Sequence, residues 1–536
     1  NTGISPFVHK HSYLSYYKIM ILTTFFRDLT HILIKKRMRC AVKDQLLKGT
    51  MILTIAGFAT RVIGFCYRIF LAGELGEVNL GIYQLIFPVY SICFTIYAAG
   101  IQTAVSQLIS HQPQKNHGQI IKAGITLSLC LAVILSFSLF SFRTVIAHSF
   151  LGADKTAPLL FVLAFIFPFC GVTSTINGYF YGKNNAKIPA VTQIIEQLVR
   201  VVFVVSFCFY DLLPVSSLIL SVAGLVIGEL ASNFYNMYHL IKESSFTHLF
   251  CQKAQFGNVI RMALPLTGTK LIIALLGSVE SVFIPPILCR AGSSLEDALA
   301  IYGILTGIVL PFILFPGTIT NSLSVLLLPA ISRASGKKDN HHVRQTTSVT
   351  VRYSLLLGVL TCAVFLNYGM DLGQFVFHSE NAGKLLTLLA FLCPFLYVTT
   401  TLGSIINGLG KTVITFAFTV IGLIIRIGCL FFLAPVYGIF GYLFGLLCSQ
   451  IVICLCHGIY LMKKTHITIQ VAKYFVWPFV FLVSLLYISK IFCRNLIHLT
   501  NQPYLSYLLL IPVLFASFLY FYQCGLISKK DIKLFR

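Results

Sequence analysis

Residues 46–76 read LLKGTMILTIAGFATRVIGFCYRIFLAGELG. The part from Leu46 to Leu71 is long and apolar enough for a helix across a hydrocarbon core about 30 Å thick, which takes about 20 residues. Two guanidinium groups, Arg61 and Arg68, interrupt it. Each costs about 2.5–3.5 kcal/mol at the centre of a span if it faces lipid. They stand seven residues apart, close to two turns at 3.6 residues per turn, so both lie on one face. The stretch predicts a membrane helix with one wet, basic side. Arg61 could also snorkel to the inner surface if the helix starts late, and Arg68 could lie near the outer end.

The rest of the chain reads the same way. Of 536 residues, 57% are hydrophobic and only 10% charged, and mean hydropathy is +0.86. Soluble domains carry about 25% charged residues, so lipid must solvate much of this surface. Runs of spanning length fall at 46–71, 81–110, 120–142, 158–181, 188–210, 215–241, 259–288, 299–332, 349–370, 385–409, 413–434, 437–462, 472–493 and 503–526. They are helices, because an isolated strand leaves its backbone groups unpaired in lipid. They are also about twice the length of the alternating segments of a membrane barrel. The expected fold is an all-α polytopic membrane protein of about 14 transmembrane helices.

A formal charge of +24 raises nucleic-acid binding, but Lys and Arg gathered in cytoplasmic loops account for it, so no nucleic-acid partner is expected. The sixteen cysteines are scattered, without a CxxC pair. Cys130, Cys208 and Cys429 sit inside apolar stretches and read as small apolar fillers. Cys454, Cys456 and His457 suggest a metal cluster only on paper, since helix neighbours one and two apart do not share a face. No metal, cofactor or disulfide framework is expected.

Residues 1–37 differ from the remainder. They begin without Met and end in Lys35-Lys36-Arg37, and Arg27, Asp28 and His31 break their apolar stretch Ile19–Ile34. They lack a clean signal-peptide core. They read as an unstructured extension or a stretch upstream of the true start, with Met38 a plausible first residue. Beyond them, alternate loops segregate by charge. One set holds Lys43, Lys115, Lys183, Lys187, Lys242, Lys337, Lys338, Arg344, Lys463, Lys464, Lys529 and Lys530. The other is poor in Lys and Arg and holds Glu74, Glu77, Asp154, Glu296, Asp297 and Glu380. The positive-inside rule then places both termini in the cytoplasm of a bacterial inner membrane.

An internal repeat appears at an offset of 226 residues. Pro168-Phe169, Val172, Thr173, Thr175, Gly182, Ile195 and Arg200 match Pro394-Phe395, Val398, Thr399, Thr401, Gly408, Ile421 and Arg426 without a gap. This aligns the fourth and fifth spans with the tenth and eleventh. The chain divides into two parallel six-helix lobes, 38–245 and 246–465, and a segment 466–536 with two more helices and a basic tail. Parallel repeats about an axis along the membrane normal are a common transporter plan, although a scaffold does not name a substrate.

Further charges lie at bilayer depth: Glu196 and Arg200 in the fifth span, Glu229 in the sixth, Lys270 and Glu280 in the seventh, Arg426 in the eleventh. Left facing lipid, Arg61, Arg68, Arg200, Lys270 and Arg426 together would cost roughly 12–18 kcal/mol, the size of a whole folding free energy. They must face a wet cavity or partners. Glu196 and Arg200 are four apart and can pair with each other, structurally or functionally. Lys270 and Glu280 stand about 15 Å apart along one axis and cannot pair directly. Positive charge remains in excess, which suits an anionic cargo, and Arg forks suit phosphate oxygens in particular.

The stretch 46–76, with its T-R-V-I-G-F-x-x-R pattern from Thr60 to Arg68, resembles the first helix of the stage V sporulation protein B branch of polysaccharide transporters. So does ALAIYGILTGIVLPFILFPGTITNSLSVLLLPAISRA, residues 298–334. These transporters belong to the multidrug/oligosaccharidyl-lipid/polysaccharide exporter superfamily, which also holds the lipid II flippases. The resemblance implies two six-helix lobes plus two C-terminal helices, alternating access and an undecaprenyl-pyrophosphate-linked glycan as cargo. It maps cavity arginines onto Arg61 and Arg68 and family positions onto Lys270 and Glu280. Arg200 and Arg426, as further cations at bilayer depth, join them as candidate substrate-binding residues. Lipid II flippases carry further cavity arginines in the second and eighth helices, and runs 81–110 and 299–332 hold none, so a different lipid-linked glycan stays open.

The leading expectation is a flippase for a cell-wall or spore-cortex precursor, with membrane lipids as surroundings and a monovalent coupling ion as a possible partner. A cation-coupled multidrug exporter of the same fold is the alternative, though it would favour a cavity rich in acids. A membrane glycan polymerase fits less well: the outer loops are short, and no nucleophile or carboxylate pair stands out. No enzymatic activity is expected.

Overall fold

The computed structural model describes residues 52–209, 215–243, 253–336, 339–465, 472–500 and 510–526. The segment 1–37 and the basic C-terminal tail lie outside the described residues. Among the described residues there are helices and no strands. Eleven helices are long and apolar enough to cross a bilayer, and a bent pair makes a twelfth.

One of the eleven is the 60-residue run Ile52–His111. Straight, it would be about 90 Å long, three times the hydrocarbon thickness. It turns instead at Gly76, whose φ of +71° lies where only glycine sits without strain. Tyr67, Arg68 and Leu71 before the turn line the same cavity as Leu80, Tyr83 and Gln84 after it. The run is therefore a helical hairpin, α1 (52–75) and α2 (77–111). The spans that follow are α3 (His117–Phe150), α4 (Asp154–Ala164 bent into Ile166–Gly182), α5 (Lys187–Phe209) and α6 (Ser217–Glu243). Next come α7 (Lys253–Arg290), α8 (Leu295–Leu314, resumed after a turn as Thr318–Gly336), α9 (Asn340–Phe377) and α10 (Glu380–Gly408). The chain ends with α11 (Thr412–Phe432), α12 (Ile439–Thr465), α13 (Trp477–Thr500) and α14 (Leu510–Gln523).

The repeat read from sequence is a repeat of shape. α4 and α10 both begin on an acid, Asp154 and Glu380, and both end on glycine, 226 residues apart throughout. α4 bends by 48° at Phe165, and α10 holds a 3₁₀ turn at Leu389–Phe391, which ends at the equivalent residue. Pro168 and Pro394 follow by three positions. A proline in a helix removes one backbone donor and crowds the carbonyl four residues back, which accounts for the bend in α4 and the irregular turn in α10.

α8, read from sequence as one span over 299–332, is broken at 315–317. Pro316 and Gly317 inside the break, with Pro311 in the turn before it, supply the reason.

At the end of the bundle that carries Gly76, the halves meet through glycine. A Cβ on Gly81 of α2 would lie 2.0 Å from the Leu299 carbonyl oxygen, and one on Gly303 of α8 would lie 2.4 Å from Gly81 N. Glu77 accepts a hydrogen bond from Ser379 Oγ, ahead of α10, at 2.5 Å. Deeper in, α7 crosses α2: a Cβ on Gly100 would collide with Thr267. Val259 and Ala263 of α7 are buried in a core formed with residues of α2 to α6. The seam between the halves thus runs beside α1, α2, α7 and α8. Outside it, α13 packs on α9 through Lys490, which pairs with Asp371 at 2.7 Å, and Tyr368, which meets Ser489 Oγ at 3.2 Å.

Candidate substrate chamber

α1 carries the site. Thr60, Arg61, Gly64, Phe65 and Arg68 recur at helical spacing and line a cavity of about 350 Å³. Gln197 of α5 forms its floor on the same side, and Pro311, Leu314, Phe315, Thr318 and Asn321 around the break in α8 form the facing wall. The cavity therefore lies between the halves, and the break in α8 opens room for it. Phe65 reaches across and stacks on Phe312 and Phe315, with ring centroids 5.3 and 4.9 Å away. Such pairs contribute about 0.5–1.5 kcal/mol beyond the area they bury.

A second cavity of about 130 Å³ continues from the first, sharing Gly64, Arg68 and Gln197 and adding Arg200, Tyr83 and Gln84. Arg61, Arg68 and Arg200 thus follow one another along a single polar seam, and neither cavity has a carboxylate among its described lining residues. Arg61 is exposed and Arg68 half-buried. Arg68 Nη1 donates to the Gly307 carbonyl of α8 at 3.1 Å, a bond between the halves. Arg200 is held by Glu196 one turn back. Behind this pair, Glu229 of α6 is 5% exposed, and its Oε1 has no hydrogen-bond partner.

The structure places the other three candidate residues outside these two cavities. Lys270 Nζ donates to the Ala99 carbonyl at 2.6 Å and to Thr103 Oγ1 at 2.9 Å. Ala99 ends a π-helical stretch, Thr95–Ala99, so Lys270 fastens α7 to an irregular turn of α2. Glu280 and Arg426 meet each other across α7 and α11 at 3.3 Å, and Tyr442 of α12 donates to the same carboxylate at 2.6 Å. Arg200 and Arg426, equivalent in the repeat, thus find acids from different helices. Gln197, Asn321 and Gln84, also part of the seam, carry a weak sequence signal: uncharged polar residues within apolar spans.

The polysaccharide biosynthesis protein family matches residues 46–335 of the chain, and the MatE family matches residues 291–432. The stage V sporulation protein B of Bacillus subtilis (strain 168) is 28% identical over 451 residues, which covers 81% of this chain and 86% of that protein. The lipid II flippase MurJ of the same organism is 22% identical over 421 residues, 72% of this chain and 77% of that one. Among solved structures, a lipid II flippase MurJ in an inward closed conformation aligns over 88% of this chain and 99% of its own, with a TM-score of 0.66 and 15% identity. An outward-facing multidrug resistance MATE family transporter of the MOP superfamily aligns over 79% and 96%, with a TM-score of 0.57 and 15% identity. At such identities the likeness to these two structures is one of fold.

Proposed function

The chain belongs to the polysaccharide biosynthesis protein family, and from that premise we propose that it is a flippase that carries a lipid-linked, anionic glycan precursor across a bacterial cell membrane by alternating access. The observation that supports this most is the seam between the halves, lined by Arg61, Arg68 and Arg200 and by no carboxylate among its described lining residues. Arginine presents planar, paired donors that match phosphate oxygens. In a low-dielectric cavity such pairs count for more than in water. A cationic drug meets the wrong sign of charge there, which weighs against the multidrug exporter reading despite the MATE-like fold.

With the basic loops on the cytoplasmic side and both termini inside, the glycine crossing of α2 and α8 and the Glu77–Ser379 bond close the outer end. Cargo then loads from within. Its phosphate competes with the Gly307 carbonyl for Arg68 Nη1, and this competition links cargo binding to release of α1 from α8. The chain acts by moving its cargo and carries out no covalent chemistry. Its relatives include sporulation proteins, which fits a role in cell-wall or spore-cortex synthesis.

Depletion of the protein in its host, followed by identification of lipid-linked glycans on each face of the membrane, tests the reading. A polyprenyl-pyrophosphate glycan accumulating on the inner face is expected. Unchanged amounts and sidedness of all such lipids would remove the proposal.

A further inference from the structure

The two halves contain one interior position in two chemistries. In the first half α4, α5 and α6 meet at Asn236, which is fully buried. Its Nδ2 donates to Asn177 Oδ1 at 3.1 Å, and its Oδ1 accepts from Thr192 Oγ1 at 2.7 Å. Gly224 of α6 packs over the Arg200 carbonyl and Gly445 of α12 over that of Arg426. Asn236 and His457 each follow their glycine by twelve residues. At the repeat offset of 226, Asn177 becomes Gly403 and Thr192 becomes Phe418. The contacts are kept. A Cβ on Gly403 would lie 3.8 Å from His457 Nε2, and the Phe418 ring meets the imidazole edge-on at 5.3 Å.

Both hydrogen-bond partners are thus lost at the position where a titratable ring replaces an amide. His457 is 1% exposed. Its Nδ1 lies 2.9 Å from the Ile453 carbonyl. A carbonyl only accepts, so Nδ1 carries the ring hydrogen and Nε2 presents an unused lone pair. Nε2 has no partner, and the same holds for Asn407 Oδ1, one turn beyond Gly403, and for Thr415 Oγ1. Thr415 packs beside Gly403, and the Cys454 thiol faces Thr399. The charged side chains of these three helices stand further off along the sequence: Glu380 and Lys384 on α10, Arg426 on α11, Lys463 and Lys464 on α12; exposed Lys411 caps the start of α11 in the turn, four residues from Asn407 and from Thr415. Buried polar groups without partners are uncommon. Here they form a column toward the α10–α11 turn, which Asn407 and Thr415 flank.

Resting on the transport reading above, we propose that His457 Nε2 is a proton-binding site in the second half, through which cargo movement is coupled to protons. An imidazolium is unfavourable in a dry interior. Proton binding therefore selects the arrangement in which α10, α11 and α12 admit water, and shifts the balance between the states of the transporter. Histidine is the side chain suited to this between pH 5 and 8.

The test uses the full chain, labelled with ¹⁵N-histidine, in lipid nanodiscs titrated from pH 8 to pH 5. His457→Asn identifies the signal of His457. The signal is expected to pass from neutral to doubly protonated within this range. In cells, precursor export by the unaltered chain is expected to change with pH by up to about tenfold per pH unit, the limit for one bound proton. Export is expected to stay flat in His457→Asn and in Gly403→Asn/His457→Asn, which rebuilds the asparagine pair of the first half. A His457 signal that stays neutral to pH 5 overturns the site, and so does pH-independent export by the unaltered chain. A His457 that titrates in a chain exporting nothing keeps the proton site and removes the transport reading instead.

Discussion

Arg61 and Arg68 were legible as a pair, because a spacing of seven fixes a shared face without reference to any other helix. The partner of Arg426 was not. Glu280 sits on α7, 146 positions earlier in sequence, and only packing of α7 against α11 brings the two within 3.3 Å. Lys270 shows the same limit: its partners are a backbone carbonyl and a hydroxyl on α2, groups that carry no charge pattern to read. Glu280→Ala would leave Arg426 without its acid and the Tyr442 hydroxyl without its acceptor. Breaking a buried pair from one side typically costs about 3–5 kcal/mol. Because Arg426 retains some exposure, the lower end is expected, read as a drop in the thermal unfolding midpoint of detergent-solubilised protein. Glu280→Gln, which still accepts from Tyr442, should fall less.

At the scale of elements, hydropathy located the spans, closely for the run 158–181 inside Asp154–Gly182 and to within nine residues for 349–370 inside Asn340–Phe377. The lipid solvent leaves helices little alternative, so the apolar runs and their order carry the architecture. The breaks were harder. α8 reads as continuous from its apolar text, and its interruption at 315–317 depends on how two prolines and a glycine are resolved by the packing around them. The crossing of α2 and α8 was also invisible, since a glycine in a span does not say which backbone it admits. Gly303→Val inserts side-chain atoms where Gly81 N lies 2.4 Å from an ideal Cβ. Overpacking of this kind costs about 1–3 kcal/mol. The expected outcome is a lower unfolding midpoint together with faster labelling of a cysteine placed at Ser379 by a membrane-impermeant thiol reagent added outside. Unchanged labelling would show that this crossing does not close the outer end.

For the whole molecule, the repeat gave two halves that share an irregularity before an equivalent proline and their paired arginines yet differ in the groups those arginines meet. That asymmetry lets one half present a basic seam while the other pairs Arg426 with Glu280 and leaves His457 Nε2 without a hydrogen-bond partner. The account rests on the basic seam being where the cargo's phosphates sit. The most direct test is the Arg61→Ala/Arg68→Ala variant, checked for membrane insertion at normal levels. Precursor reaching the outer face is then measured in living cells with a reagent that cannot cross the membrane. Loss of two charge-assisted contacts of about 1.5–3 kcal/mol each predicts at least a hundredfold fall in outward exposure. Exposure equal to that of the unaltered protein would contradict the account.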